Sequence, residues 1–296
     1  MKIPVGLEWW RTVPGGAEWL EALPDIVVAC AEQWSLRVDF PFADGHVSLV
    51  VAVERLDGVP AVLKVNFPEE ESEREPDALR HWGGRGAVLL LEHDEGRRAL
   101  LVERCVPGRQ LWSIEDDGKA TGIAAQVLAR LWSPPPAEHR FLRLADLAER
   151  WAVELERDWE TLGGPYERTL LEVATTTCLE LGRDQVDEVV LHQDFHGGNV
   201  LRAEREPWLA IDPKPLVGER AFDAASLLRD RRWLLGRPND AARIRRRLDL
   251  LAGDLSLDRE RMRLGGIAHA LAWGVSGGKL EADMVECARL LHEARP

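Results

Sequence analysis

The sequence predicts a two-lobed α+β protein, and three observations carry that prediction. Residues up to about 105 read as strands joined by tight turns, and most of the remainder reads as helices. A composition break at Pro107-Gly108-Arg109 suits a hinge between the two. A second pair of short apolar runs, near residues 189 and 210, is inserted among the helices and carries acidic groups at its ends. The expected lobes are 1–106, a leading helix plus an antiparallel sheet, and 107–296, mainly helical, with the active site in the cleft between them.

Each element has its own signal. Residues 17–34 place Leu20, Leu23, Ile26, Val27, Cys30 and Trp34 at helical spacing, with an interruption or restart expected at Pro24. Residues 47–55 and 61–65 are β-branched runs around Asp57-Gly58, the mark of a hairpin. Residues 87–93 and 98–105 form a second such pair around Asp94-Glu95-Gly96. Helical patterns then cover 123–131, 143–163, 166–181, 222–235, 240–251, 259–275 and 279–294.

Composition excludes several classes. A formal charge of -13 argues against a nucleic-acid partner, which needs concentrated positive charge, and is compatible with a cationic substrate. The N-terminus lacks the apolar core of a signal peptide and no run reaches membrane-spanning length, so a soluble, cytoplasmic protein without a membrane partner is expected. Cys30, Cys105, Cys178 and Cys287 are far apart and read as reduced thiols. Nothing points to an obligate protein partner. Twelve Trp against one Tyr is the unusual feature; most are expected in the core.

The chemistry concentrates in His192-Gln193-Asp194-Phe195-His196-Gly197-Gly198-Asn199 and Ala210-Ile211-Asp212-Pro213-Lys214. These residue types suit phosphoryl transfer, in which one carboxylate orients the attacking hydroxyl while an Asn and a second Asp hold Mg²⁺ on nucleotide phosphates. Asp194 takes the first role and Asn199 and Asp212 the second, with Asn199 five positions after Asp194 as in the protein-kinase catalytic loop. A different reading makes His192, Asp194 and His196 zinc ligands, but it needs a further ligand cluster and the other histidines are scattered. His192 is better explained as a buried residue bonded to backbone.

Lys64 ends the apolar run Ala61-Val62-Leu63-Lys64, where an unpaired ammonium would be costly, and it has the form of the strand lysine that contacts the α and β phosphates of ATP. Glu75 has two readings: the end of a Ser72-Glu73-Arg74-Glu75 capping box, or an ion pair that aims Lys64. In a kinase, adenine would meet the backbone of Glu103-Arg104-Cys105-Val106.

The two catalytic segments, followed by Val217-Gly218-Glu219-Arg220-Ala221-Phe222-Asp223, resemble the aminoglycoside phosphotransferase family, most of all its streptomycin and hydroxyurea kinase branch, in which Asp-Pro-Lys recurs. Lys64, Glu75-Pro76-Asp77-Ala78-Leu79 and Leu101-Val102-Glu103 fall in family order, so the likeness spans roughly residues 30–280. It implies a protein-kinase-like fold, with Asp223 buttressing the catalytic loop and Lys214 reaching the γ-phosphate or substrate. Two departures stand out. Gln193 occupies a position where many relatives have Gly, and the nucleotide-covering loop Asp44-Gly45-His46-Val47-Ser48 has one Gly, leaving Ser48 as a phosphate donor.

The reading is an ATP- and Mg²⁺-dependent small-molecule O-phosphotransferase. The expected acceptor is a hydroxyl of a small cationic aminocyclitol such as streptomycin, in an antibiotic-resistance role. A metabolic kinase of an amino sugar is the alternative, and a non-catalytic nucleotide-binding pseudokinase a third reading. A cationic acceptor calls for carboxylates and stacking faces on the later helices: Asp158, Glu281 and Asp283, with Trp151, Trp159 and Trp273.

Overall fold

The computed structural model describes residues 2–43, 47–230, 240–276 and 278–295. The chain divides into two compact units, with the division between Gly108 and Arg109.

In the first unit a 3-10 segment, Val5–Thr12, leads into α1, Gly16–Gln33. Helix α1 runs unbroken through Pro24, so the expected interruption is absent. Proline removes one amide from the helical ladder, and burial of Trp19, Leu20, Leu23, Val27 and Cys30 along one stripe keeps the helix together on both sides of that gap.

The sheet contains β1 (Leu36–Pro41), β2 (Ser48–Arg55), β3 (Pro60–Asn66), β4 (Leu90–Asp94) and β5 (Ala99–Glu103), in the order β1-β2-β3-β5-β4 and antiparallel throughout. The Asp57-Gly58 hairpin forms as expected: Gly58 takes φ +78 and the Asp57 carboxylate accepts the Val59 amide. In the second hairpin only Leu90–Asp94 of the first run is strand. Helix α2, Glu75–Trp82, follows β3 and ends on Gly83 at φ +54.

Strand alternation explains how this sheet serves two purposes. Leu49, Val51 and Val53 on β2, Ala61, Leu63 and Val65 on β3, and Ala99 and Leu101 on β5 share one face and form a single core with α1 and the Val5–Thr12 segment. Ser48, Lys64 and Asn66 have the opposite parity and lie on the other face.

The second unit is mainly helical: α3 (Asp117–Leu131), α4 (Leu144–Thr161), α5 (Arg168–Arg183), the short α6 (Arg220–Asp223) and α7 (Ala225–Leu228), α8 (Asp240–Leu255), α9 (Arg259–Ala272) and α10 (Ala282–Glu293). Helix α9 is the central element, packing on α5, α7 and α10. Of the helix expected over 222–235, the structure shows α6 and α7 as separate turns, and residues 231–235 lie outside the described residues.

The two acid-bearing runs belong to different small sheets. Strand β7 (Glu188–Leu191) lies antiparallel to β10 (Leu216–Glu219), which also pairs with β6 (Leu142–Arg143). Strands β8 (Val200–Arg202) and β9 (Trp208–Ala210) form a hairpin of their own. A last short pair, β11 (Val275–Ser276) and β12 (Lys279–Leu280), links α9 to α10. No helix among the described residues is long and apolar enough to cross a membrane.

Candidate active site

In the first unit, Ser48, Lys64 and Asn66 on the sheet face opposite the core and Glu75 at the start of α2 form one chain of hydrogen bonds. Lys64 Nζ donates to both oxygens of Glu75, at 2.7 and 2.6 Å, and Asn66 Nδ2 donates to Glu75 Oε2 at 2.8 Å. The side chains of Lys64 and Glu75 are 8% and 2% exposed, so this is a fully buried ion pair. Of the two readings of Glu75, the structure contains the ion pair. The capping box does not form: no side chain caps α2, and the Ser72 hydroxyl donates instead to the Phe67 carbonyl.

Ser48 Oγ donates its one hydrogen to Asn66 Oδ1 at 2.7 Å and is buried, which corrects its assignment as a phosphate donor. Asp44, Gly45 and His46 lie outside the described residues. After β5, the Glu103 amide and carboxylate are both engaged with Leu89, the Arg104 guanidinium stands 5.7 Å from the rings of Phe40 and Phe42, and Val106 is exposed. Cys105 is a free thiol, as are Cys30, Cys178 and Cys287.

In the second unit the loop after β7 is held by groups from distant segments. Asp223, buried at the end of α6, accepts the amides of His192 and Gln193 and the Trp132 indole N–H. Burial outweighs these three donors and pushes its carboxyl up to about 6. His192 is fully buried, and its Nε2 lies 2.9 Å from the Ile211 carbonyl; burial lowers the imidazole to about 4. It therefore braces the loop after β7 against the segment that carries Asp212. No group of three or more His, Cys, Asp or Glu among the described residues could hold a metal ion, so the zinc reading finds no support.

Gln193 at φ +63 and Asp212 at φ +55 adopt left-handed backbone next to the chemistry, a conformation that non-glycine residues hold at a cost of about 1 kcal/mol. Asp194 follows Gln193. Its Oδ1 accepts Arg229 Nη2 at 2.9 Å; its Oδ2 has only longer approaches, 3.4 Å from Asn199 Nδ2 and 3.8 Å from His196 Nε2. Burial pushes the Asp194 carboxyl up, but the fields of His196 and Arg229 pull it further down, and it lies below the usual carboxylate range.

Asn199 spends its Nδ2 donors on Asp194, including a 3.0 Å bond to the main-chain carbonyl, which leaves its amide oxygen for another partner. Asp212 is partly exposed, at 31%, and Lys214 Nζ lies 3.3 Å from its Oδ1.

Sequence reading missed three further supports. Trp112 stacks on His196 at 5.1 Å and 11°, and its indole N–H donates to Asp230. Asp230 also accepts the Gly197 amide at 2.9 Å. A Cβ on Gly198 would come within 2.6 Å of the Trp112 ring and 2.9 Å of the His196 ring, so any side chain there must push those rings aside. Arg229 is the third, and beside Asp230 it had no sequence signal beyond a charged pair at the end of an apolar run.

The acceptor-side residues separate into two groups. Trp273 stands over Arg229, whose guanidinium carbon is 4.5 Å from its ring centroid, and so reaches Asp194 through one residue. Trp151 is 6% exposed and stacks on Phe222; packed in the helical core, it offers no face to an acceptor, which corrects its assignment. Trp159 donates to the Tyr166 carbonyl and lies under Arg168, and Asp158 pairs with Arg157, so both belong to the far end of α4. Glu281 occupies the N-cap position of α10, and Asp283 is exposed in that helix's first turn, where a carboxylate complements the helix dipole.

The family model described as aminoglycoside/hydroxyurea antibiotic resistance kinase matches residues 33–283. The chain belongs to this family. Curated relatives agree: a streptomycin 6-kinase of Streptomyces glaucescens is 40% identical, covering 90% of this chain and 88% of the relative. A hydroxyurea phosphotransferase of Kitasatospora aureofaciens is also 40% identical, covering 90% and 77%. A crystal structure of a choline/ethanolamine kinase family protein from Mesorhizobium loti superposes with a TM-score of 0.59 at 11% identity, covering 87% of each chain, which shows the fold to be protein-kinase-like. As a member of the aminoglycoside/hydroxyurea kinase family, the chain is a nucleotide-using small-molecule kinase.

Proposed function

We propose that this kinase transfers the γ-phosphoryl group of ATP to a hydroxyl of a cationic aminocyclitol of the streptomycin kind. The observation that carries the chemistry is the arrangement around Asp194: one carboxylate oxygen fixed by a guanidinium, the other only loosely approached, with Asn199 and Asp212 on the same pair of segments. The acceptor hydroxyl donates to Asp194 Oδ2. As its oxygen bonds to the γ-phosphorus, the bond to the ADP oxygen breaks and the hydroxyl proton passes to Asp194.

The donors at Asn199 and Asp212 fit Mg²⁺, which takes hard oxygen ligands and binds through one or two side chains with phosphates and water completing the shell. When bound, Mg²⁺ neutralises charge on the nucleotide phosphates. Lys64, held by Glu75, contributes its ammonium to the α and β phosphates, the backbone of residues 103–106 meets adenine, and Lys214 adds positive charge beside Asp212. Cytoplasmic action follows from the need for ATP.

The streptomycin assignment is supported by the 40% identity to streptomycin 6-kinase over most of both chains. The test is a mass measurement on streptomycin and hydroxyurea incubated with the purified protein and MgATP. A phosphoryl gain on streptomycin is expected. Gain on hydroxyurea alone would move the assignment to that acceptor, and a protein that binds MgATP yet phosphorylates neither would overturn it.

A further inference from the structure

The side chain that fixes Asp194 is itself held by a residue no part of the reaction requires. Arg229 Nε donates to His269 Nδ1 at 2.7 Å while its Nη2 donates to Asp194 Oδ1 at 2.9 Å. These two N–H groups share one edge of the planar guanidinium, so fixing one direction fixes the other. Arg229 is 7% exposed and His269 fully buried, in the second half of α9.

The chemistry of the pair settles the imidazole's protonation. A guanidinium has only donors, so Nδ1 must accept, and the ring is neutral with its proton on Nε2. Burial and the charge of Arg229 both hold His269 well below its ordinary value, which agrees. His269 Nε2 has no hydrogen-bond partner among the described residues. Around the imidazole stand aromatic rings: Phe222 at 5.1 Å and 89°, Trp151 at 5.9 Å and 68°, and Trp273 at 4.7 Å. The Phe222 and Trp151 planes stand steeply to the imidazole, an arrangement in which an aromatic face can act as a weak acceptor for an N–H. The buried Trp151 thus has a place in the design: it is part of the wall that keeps His269 dry and upright.

We infer that His269 is a positioning residue of the phosphotransfer reaction, acting through Arg229 to hold one oxygen of Asp194 so that the other stays directed at the acceptor hydroxyl. This rests on the proposed role of Asp194. It places part of the control of the catalytic carboxylate on α9, which contributes no residue to the catalytic loop itself. It also separates Arg229 from a phosphate-binding role, since its Nε and Nη2 edge is already committed within the protein.

The experiment compares wild type with His269→Leu, His269→Asn and Arg229→Lys, using streptomycin and MgATP. Asn returns an acceptor near the place of Nδ1, and Leu does not. Expected for His269→Leu is a fall in kcat of about 10- to 100-fold, with KM for ATP within about twofold and folding confirmed by thermal melting. His269→Asn should recover most of that loss, and Arg229→Lys should behave like His269→Leu because an ammonium lacks the two-donor edge. Equal kcat in the Leu and Asn variants, whatever their stability, would overturn the inference. So would a rise in KM for ATP at unchanged kcat in Arg229→Lys, which is the signature of a phosphate ligand. If wild type phosphorylates no acceptor, that failure belongs to the acceptor assignment. The same four proteins are then ranked by their slow hydrolysis of ATP to water, and absence of the Leu-to-Asn recovery there overturns the positioning role.

Discussion

Lys64–Glu75 is a buried ion pair and Arg229–Asp194 a partly buried one, and they are built in opposite ways. The first closes completely: the ammonium engages both carboxylate oxygens within 2.7 Å, and Asn66 adds a third donor. The second is incomplete, with one bond of 2.9 Å to Oδ1 and, among the described residues, no donor closer than 3.4 Å to Oδ2. A pair whose task is to hold a charge in place gains from saturation. In the role proposed for Asp194, a carboxylate that receives a proton needs an oxygen left open, and the Arg229 guanidinium, whose Nε is taken up by His269, engages only Oδ1.

The contrast predicts different failures. Removing the incomplete pair's acid, Asp194→Ala, should lower kcat by on the order of 10³-fold or more while nucleotide affinity, measured by calorimetry, stays within about threefold. Removing the saturated pair's acid, Glu75→Ala, should appear first as lost stability, about 3 kcal/mol in a denaturant titration, with a raised KM for ATP, because a buried ammonium loses its chief compensation. Near-normal stability in Glu75→Ala would show that the first pair is not the saturated one. Gly198→Ala tests the scaffold of the second pair. Its Cβ must displace the Trp112 ring, and a cost of about 1–3 kcal/mol is expected, read as a lower melting temperature together with reduced kcat.

The smallest effect concerns pH. His192 is buried with its folded value lowered to about 4, against about 6.5 for an unfolded histidine, so the unfolded chain takes up the proton first. Stability from this group is present above about pH 6.5 and is lost as pH falls toward 4. Between about pH 7 and 5.5 the loss should be about 1 kcal/mol. His192→Gln, which keeps a donor for the Ile211 carbonyl but does not titrate, should remove that loss, read as the wild-type-minus-variant stability difference over this range because Asp223 titrates in both proteins.

The same contrast explains what could be read in the sequence. Lys64 and Glu75 are 11 positions apart, on a strand and the helix that follows it, and a lysine inside an apolar run calls for a nearby acid. The loop from His192 to Asn199 carries its own spacing. Its supports do not: Arg229 meets Asp194 across 35 positions, and Trp112 meets Asp230 across 118. A charged residue ending a helical run has the same appearance whether it is solvated or aimed at a catalytic carboxylate, and only the packing of α7 against α9 decides between them. The inward packing of Trp151 is left open by the sequence for the same reason, since an aromatic on an amphipathic helix carries no mark of which side it faces. Pro24 is the opposite case, in which local backbone chemistry announces a break that a well-buried apolar stripe overrides.

One consequence of the left-handed turn at Gln193 reaches beyond this molecule. The backbone there has φ +63, a geometry that glycine enters freely, while the glutamine side chain is 2% exposed and fills volume beneath the loop. Glycine would relieve the steric cost of about 1 kcal/mol but would lose the packing and gain freedom in the unfolded chain, so the two residues come out nearly even. A motif that insists on glycine after the histidine would therefore pass over chains like this one, in which a glutamine holds the left-handed conformation that glycine favours.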